Sequence, residues 1–118
     1  MSEQAKPTVS FDDFLKLDIR VARVLKVADH PNADKLIVLD IDLGTEQRQI
    51  VAGLKPYLDD PQSLVGRSIV VVANLEPRKV RGVESNGMLL AATWEADGRR
   101  NVVCLTTDGE VPAGSAVS

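Results

Sequence analysis

Short runs in which apolar and polar residues alternate make up most of the chain, and they are separated by glycine, proline, Asn and Asp. The segment 36–43 places Leu39, Ile41 and Leu43 on one face and two aspartates on the other. A period of two residues is typical of a β-strand with one buried face. The full pattern predicts strands over 18–27, 36–43, 47–52, 68–74, 87–94 and 102–106.

Interruptions of the pattern predict how these strands are connected. The alternation slips at Arg23–Val24, which indicates a bend or bulge. The run 69–73 is apolar on both faces and therefore predicts a central strand. Asp60 before Pro61 favours one helical turn in the insert that follows the third strand. The Ala96–Gly98 segment predicts a hairpin turn.

A short helix is predicted after a flexible tail over residues 1–9. Ser10 can cap this helix, and two aspartates lie in its first turn. Phe11, Phe14 and Leu15 fall at helical spacing, so we expect the helix to pack on the body of the protein.

Five or six short strands without a long helix predict an all-β protein. A chain of 118 residues forms one domain with a modest core, here over residues 10–118. A closed or nearly closed barrel best protects strand edges at this size. Three meander strands, a helical turn and two further strands have the topology of a five-stranded oligonucleotide-binding (OB) barrel, here with a small C-terminal β extension.

Charge is unevenly distributed in a chain whose formal net charge is −3, which argues against a strong nonspecific hold on nucleic acid. The segment Arg78–Arg81 nevertheless carries three cations in four residues, and Gly82 and Gly87 bracket the residues that follow. We interpret it as a basic loop that brings positive charge, a hydroxyl, an amide and exposed backbone to one place. That combination suits a phosphodiester backbone.

The residues of catalytic and metal sites are missing from the sequence. One cysteine excludes an internal disulfide, and one histidine leaves no metal-binding spacing, so we predict no metal, no cofactor and no enzymatic activity. Cys104 is interpreted as a small buried apolar residue and His30 as an exposed turn residue before Pro31. Because the N-terminus lacks the apolar centre of a secretion signal, a cytoplasmic protein is expected.

Four ordered segments resemble the tRNA-binding domain family. This family occurs at the C-terminus of many bacterial methionyl-tRNA synthetases, as free-standing tRNA-binding proteins, in the endothelial-monocyte-activating cytokine and inside the phenylalanyl-tRNA synthetase β chain. The segments are Leu17-Asp-Ile-Arg-Val-Ala-Arg-Val24, His30-Pro-Asn-Ala-Asp-Lys-Leu36, Gln49-Ile-Val-Ala-Gly-Leu54 and Ala73-Asn-Leu-Glu-Pro-Arg-Lys-Val-Arg-Gly-Val-Glu-Ser-Asn-Gly-Met-Leu-Leu90.

The resemblance implies an OB barrel that binds tRNA by shape, is a homodimer when free-standing, and has methionyl-tRNA synthetase as a candidate partner. It supports phosphate contacts by the cations of the basic segment, for which a solvated loop is the alternative. It supports hydrogen bonds from Ser85 and Asn86 to phosphate or ribose, where turn formation is the other role. It also supports an apolar contact by Met88, which could instead pack in the core. The predicted tRNA-binding residues are Lys35, Arg78, Lys79, Arg81, Ser85, Asn86 and Met88.

Aromatic side chains are scarce, which bears on how RNA is read. Single-strand binders of this fold stack bases on several aromatic rings, whereas this chain has only two Phe, one Tyr and one Trp. We therefore expect readout of shape and backbone. Trp94 is the one plausible exception as a stacking residue, and we assign it first to the core or a dimer contact. The apolar run Val102–Leu105 and the N-terminal turn offer further apolar surface for a dimer.

Two other functions remain open at this stage. The secretion-related chaperone CsaA shares the fold, so a peptide-binding chaperone is one alternative, and a protein-docking subunit of a synthetase is another. CsaA relatives usually carry Arg-Lys-Pro-Ala-Tyr where this chain has Ala-Asp-Lys-Leu, which favours the synthetase-type branch.

Overall fold

Strand pairing dominates the architecture of residues 5–118, which are the residues that this computed structural model describes. Helix α1 spans Phe11–Leu15, and two single 3-10 turns span Lys55–Tyr57 and Pro61–Leu64. The strands are β1 (Ile19–Asp29), β2 (Ile37–Asp42), β3 (Gln47–Ala52), β4 (Ser68–Val72), β5 (Arg78–Val80), β6 (Val83–Ser85), β7 (Met88–Leu89), β8 (Ala91–Ala96) and β9 (Arg99–Cys104).

A five-stranded sheet in the order β3-β2-β1-β4-β7 curls into a nearly closed barrel. The gap between its edge strands is bridged where the Asn86 amide donates to the Gln49 carbonyl at 2.8 Å. The Arg48 guanidinium also donates to the Ala73 carbonyl at the end of β4. These contacts join both edges of the sheet, so the predicted OB-type barrel is confirmed.

The barrel interior is filled by the apolar faces that the alternation predicted. Leu39, Ile41 and Leu43 on and after β2 are fully buried, as are Ile50 on β3 and Ile69 on β4. Each such side chain contributes about 1.5–3 kcal/mol through removal from water. The predicted irregularity in β1 is confirmed as a register shift against β2, one residue further along than Val24. It lets the long first strand bend around the core.

The predicted single strand over 87–94 is wrong in one respect, because the chain changes sheets in its middle. β7 pairs with β4 in the barrel, whereas β8 pairs with β9 in a separate hairpin. Leu90 lies at the break: its amide donates to Val70 at 2.8 Å and its carbonyl accepts from Leu105 at 3.1 Å. This residue therefore ends the barrel and begins the C-terminal extension.

Helix α1 begins as predicted but does not pack as predicted. The Ser10 hydroxyl accepts from the Asp13 amide at 3.0 Å, which confirms the cap. Phe11 and Leu15, however, are 71% and 58% exposed, and the five-residue helix has no buried residue. Polar links join its C-terminal end to the barrel. The Asn74 side chain makes those links, to the Lys16 carbonyl at 2.6 Å and the Asp18 amide at 2.8 Å.

The ends of the chain and the insert complete the description. Residues 1–4 of the predicted tail lie outside the described residues, and residues 5–9 are exposed and without regular secondary structure. Asp60 caps the second 3-10 turn by accepting from the Gln62 amide at 3.1 Å, with Pro61 first in the turn, as predicted. In residues 5–118 every helix is too short to cross a membrane.

Candidate nucleic-acid interface

The cationic segment that the sequence suggested was a loop is a β-hairpin. Strands β5 and β6 pair Arg78 with Ser85 and Lys79 with Glu84. At the turn, Arg81 and Gly82 have φ values of 53° and 89°. Two successive positive φ angles match a type I′ turn, whose twist suits antiparallel strands. The two cations on β5 and Arg81 at the tip are thus fixed on a rigid element.

His30 is buried, so its prediction as an exposed turn residue was wrong. It is 5% exposed. Its Nε2 lies 2.8 Å from the Val80 carbonyl, and its Nδ1 accepts from the Asn32 amide at 2.9 Å. These two partners require the ring hydrogen to be on Nε2. The imidazole therefore ties the turn after β1 to strand β5, 50 residues away in sequence.

Asn32 adds a second connection between the same two segments. Its side-chain amide donates to the Arg81 carbonyl at 3.0 Å, and the Arg81 guanidinium donates to the Asn32 carbonyl at 3.3 Å. Together with the imidazole of His30, this pair holds the hairpin tip against the His-Pro-Asn turn. The same turn leads to Lys35, so its position relative to the basic hairpin is also set by these bonds.

An open groove brings together predicted residues from distant parts of the sequence. Lys35, Arg78 and Met88 all line this cavity, whose volume is about 620 Å³, beside the β3 backbone. All three side chains are exposed. Arg100 from β9 lines the same groove. No local sequence pattern assigns this arginine to the site, because it lies in another hairpin.

A second groove of about 570 Å³ continues from the first. It shares Arg78 and Met88 and adds Asn74 and Ser85. Lys79 and Arg81 line neither groove; they are exposed on the hairpin beside them. None of the three hairpin cations forms an ion pair within the described residues. Their charge is available to a polyanion, which suits a backbone-contacting surface.

Ser85 and Asn86 have internal partners. The Ser85 hydroxyl is buried, accepts from the Val51 amide at 3.0 Å and donates to the Gly87 carbonyl at 3.0 Å. Asn86 is half-buried, and its backbone amide bonds to Gln49. The structure thus gives Ser85 a positioning role between β3 and the basic hairpin, while the Asn86 side chain has no hydrogen bond within residues 5–118.

Residues suited to chemistry are few in the described part of the chain. Residues 5–118 contain no group of three or more His, Cys, Asp or Glu side chains placed to hold a metal ion. Cys104 is half-buried against the barrel core, and this burial raises the pKa of its thiol. A raised pKa disfavours the thiolate that reactive cysteines require.

A small, nearly closed barrel with a cationic hairpin beside an open groove defines a protein of the oligonucleotide-binding class. Comparison with known families makes this assignment specific. Residues 19–116 match the family model described as the putative tRNA binding domain. The chain belongs to this tRNA-binding domain family, as the sequence motifs indicated.

Proteins with similar sequences include synthetases of much greater length. The chain is 56% identical over 109 residues to a methionine–tRNA ligase of Thermococcus kodakarensis, covering 92% of this chain and 14% of that protein. It is 53% identical over 110 residues to the Thermotoga maritima methionine–tRNA ligase, covering 93% of this chain and 17% of that protein. The chain thus spans about a sixth or less of the synthetases that it matches.

Solved structures of similar proteins extend over nearly the whole chain. A MetRS-related protein from Pyrococcus horikoshii has a TM-score of 0.86 at 37% identity, covering 96% of this chain and 100% of that one. The chaperone CsaA of Bacillus anthracis has a TM-score of 0.83 at 32% identity, covering 95% of this chain and 100% of that one. Both the synthetase-type and the chaperone-type relatives therefore have this fold.

Proposed function

We propose that this chain binds folded tRNA without catalysing a reaction, and that it recognises the shape and backbone of the RNA. The observation that carries the proposal is the meeting of Lys35 and Arg78 in one groove, beside Lys79 and Arg81 on a hairpin held in place by hydrogen bonds. A fixed set of cations without intramolecular ion pairs fits phosphates at a fixed spacing.

The groove chemistry supports backbone readout more than base readout. Its polar contribution comes from cations and exposed backbone, while Met88 and Tyr57 supply apolar contact. Asn86 has a free side-chain amide, which can donate to phosphate or a ribose hydroxyl group. We keep Ser85 in the site as a residue that orients the hairpin, since its hydroxyl is already used twice.

The synthetase relatives suggest where such binding is used. Because the chain corresponds to a small part of proteins named methionine–tRNA ligase, we propose that it assists a methionyl-tRNA synthetase in the cytoplasm. As an appended domain or a separate subunit, it would raise the local concentration of tRNA near the catalytic part.

We also propose that the chain acts as a homodimer. Phe11, Leu15 and Leu17 leave an apolar surface exposed at the N-terminal end, and Val103 and Leu105 do so near the C-terminus. Apolar surface of this kind on a small protein marks an interaction site. Two copies would enlarge the footprint on one tRNA. Sedimentation at micromolar concentration should show the dimer, and a result with monomer alone would contradict it.

Peptide binding is the second candidate, favoured by the high structural similarity to CsaA. The open grooves have apolar as well as cationic walls, which an extended peptide could use. Salt distinguishes the two: peptide binding driven by apolar contact should persist at high salt, whereas phosphate binding should weaken. A synthetase-docking role is distinguished by charge reversal, which would leave docking intact.

The deciding experiment is a competition binding assay with three nucleic acids: folded tRNA, the same tRNA unfolded, and duplex DNA. The unlabelled folded tRNA should compete best. The variant Arg78→Glu, Lys79→Glu, Arg81→Glu should lose most of its affinity for tRNA while folding normally by circular dichroism.

A matched control changes the net charge equally on another surface. Lys6, Arg23 and Lys26 are exposed and line neither groove, so their triple reversal to Glu should weaken binding far less. Equal competition by all three nucleic acids would contradict shape recognition. Equal loss in both triple variants would contradict the site.

A further inference from the structure

A third cleft lies next to the main groove, and its chemistry differs from that of the basic hairpin. Tyr57, Trp94, Arg99 and Arg100 line it, and its volume is about 560 Å³. We propose that this cleft binds unpaired nucleotides of an RNA, with a base stacked on an aromatic ring and the adjoining phosphates on the two arginines. The inference rests on the proposed RNA-binding function and extends it beyond shape recognition.

The hairpin β8–β9 determines how these side chains are presented. Its pairs are Trp94 with Asn101 and Ala96 with Arg99, so Trp94 and Arg99 lie on one face as diagonal neighbours. Asp97 and Gly98 at the tip have φ values of 55° and 72°, a second type I′ turn. The ring and the guanidinium therefore lie on a rigid element, which favours a defined binding geometry.

Trp94 is exposed on the face of hairpin β8–β9 that is opposite the barrel core. Its side chain is 44% exposed, whereas Val102 and Cys104 on the opposite face pack against the barrel core. Of the two predicted positions for this tryptophan, the core position is therefore wrong, and the dimer contact stays a prediction. Tyr57, 37% exposed, faces the same cleft from the insert. Arg99 shares the face of Trp94, whereas Arg100 lies on the other face of β9 and lines the cleft where it meets the main groove. An exposed tryptophan beside an arginine is an arrangement that stacks bases and contacts phosphate.

Arg100 makes the cleft continuous with the main groove, because it lines both. Neither Arg99 nor Arg100 forms an ion pair within residues 5–118. Two acids limit the positive charge here: Asp59 lines the cleft and Glu95 pairs with Arg100 in register. An RNA backbone that leaves the Lys35–Arg78 groove would therefore contact Arg100 first and then reach the aromatic rings of Tyr57 and Trp94.

Unpaired nucleotides are the ligand class that fits, rather than duplex RNA. The face of a base is accessible to an aromatic side chain only when the base has left its stack. The hairpin cations can contact a duplex backbone, whereas the rings of Tyr57 and Trp94 gain nothing from one. The cleft would then recognise a single-stranded end or loop adjoining the folded RNA, and the main groove would recognise its shape.

The single tryptophan of the chain allows a direct test by fluorescence. The protein is titrated with a short single-stranded RNA, with a duplex RNA of equal length, and with folded tRNA, while tRNA affinity is measured separately by filter binding. We expect single-stranded RNA to quench Trp94 emission and duplex RNA to leave it unchanged. The double variant Arg99→Glu, Arg100→Glu should weaken the quenching titration about tenfold or more.

Variants of the ring separate stacking from folding. These variants lack the fluorophore, so their affinity for labelled single-stranded RNA is measured by filter binding alongside wild type. Trp94→Ala should lose about tenfold in affinity for the single strand, whereas Trp94→Phe, which keeps a stacking face, should lose less. Lys26→Glu on β1, outside the grooves described, is the charge control and should leave the quenching titration unchanged. Near-wild-type thermal unfolding of each variant confirms that the fold is intact.

Each other outcome identifies which proposal fails. Unquenched emission with intact tRNA binding would overturn the cleft alone and leave the proposed function standing. Loss of both signals in the wild-type protein would overturn both. An emission spectrum that changes with protein concentration in the absence of RNA would place Trp94 between two copies of the chain, which overturns the cleft as a nucleotide site.

Discussion

The barrel and the basic hairpin β5–β6 are held in place by different forces. The barrel interior consists of apolar side chains removed from water, such as Leu39 and Ile50. The hairpin has only the partly buried Val80 and Val83 at its turn, and its position depends on hydrogen bonds from His30, Asn32 and Gln49 to its backbone.

This difference separates the stability of the fold from the geometry of the site. Apolar burial is non-directional and tolerates small shifts, whereas hydrogen bonds hold only within narrow distances and angles. Loss of a barrel side chain should therefore destabilise the whole protein. Loss of a hairpin anchor should mainly displace cations.

The largest effect is expected from Leu39→Ala, which removes a fully buried side chain from the barrel. Such truncations cost about 2–5 kcal/mol, because apolar contact is lost and a cavity is left. Denaturant unfolding should show this loss at low and high salt alike. At a temperature where the variant is folded, its tRNA affinity should stay within about threefold of wild type. A strongly reduced affinity would show that fold and site are coupled.

A smaller change in stability but a larger change in binding is expected from His30→Ala. The substitution leaves the Val80 carbonyl and the Asn32 amide without their partner. Asn32 is exposed and Val80 is half-buried, so water can reach both groups, and each lost hydrogen bond should cost only about 0.5–1.5 kcal/mol. We expect tRNA affinity to fall about tenfold, although the imidazole is buried away from the ligand. Hydrogen exchange of the β5 and β6 amides should become faster, since the hairpin opens more often.

The matched control for His30 is Gln62→Ala. Gln62 also links a distant segment to the barrel, through a side-chain bond to the Val27 carbonyl at 2.8 Å, but it lies on the insert. Its loss should lower stability and leave tRNA binding unchanged. Equal losses of affinity in both variants would mean that His30 acts through general stability rather than through the hairpin.

The same contrast explains which features the sequence revealed. The two-residue alternation of 36–43 reports burial directly, so the barrel strands and their inward faces were predicted. The position of His30 was not, because its partner is Val80, and a local pattern carries no information on that contact. The hairpin was missed because Arg81 occupies a turn position that Asn or Asp usually fills.

The residues of the candidate site likewise fall into those that residue type identified and those that only distant contacts bring to the site. The cations Lys35 and Arg78 were identified by residue type and resemblance, and the structure places them in one groove. Arg100 joins them only because β9 folds back beside the insert, which no local motif indicates. The hydroxyl of Ser85 was assigned to the ligand, but it bonds to the nearby Gly87 carbonyl and to the Val51 amide on β3, a strand distant in sequence.

The third prediction separates charge from hairpin geometry by the substitution Arg81→Asn. Asn tolerates a positive φ and is favoured before Gly in a type I′ turn, so the hairpin should persist or gain a few tenths of a kcal/mol. The guanidinium is removed together with its bond to the Asn32 carbonyl at 3.3 Å, but the Asn32 side chain can still donate to the backbone carbonyl of residue 81 and His30 still holds β5. If a site neutralises about 2–4 phosphates, log affinity should fall with log salt at a slope of roughly −1.5 to −3.5.

Loss of one phosphate contact should make the slope of log tRNA affinity against log salt concentration about one unit shallower. Titration of wild type and Arg81→Asn at four salt concentrations measures both slopes. Arg23→Asn, on the exposed side of β1, provides the same change of residue type outside the grooves and should keep the wild-type slope. An unchanged slope in Arg81→Asn would remove Arg81 from the phosphate-binding set, while leaving its role in the turn intact.

The smallest effect is expected at Cys104, where the C-terminal hairpin meets the barrel. Burial raises the pKa of its thiol, so the folded protein holds less thiolate than the unfolded chain at any pH near neutrality. Alkylation at pH 7–8 should therefore be several-fold slower in the folded protein, and the difference should narrow as pH rises through the raised pKa. A mass-spectrometric time course with and without denaturant measures both rates. Equal rates would mean that the hairpin opens from the barrel freely, and that β8–β9, like the basic hairpin, gains little from apolar burial.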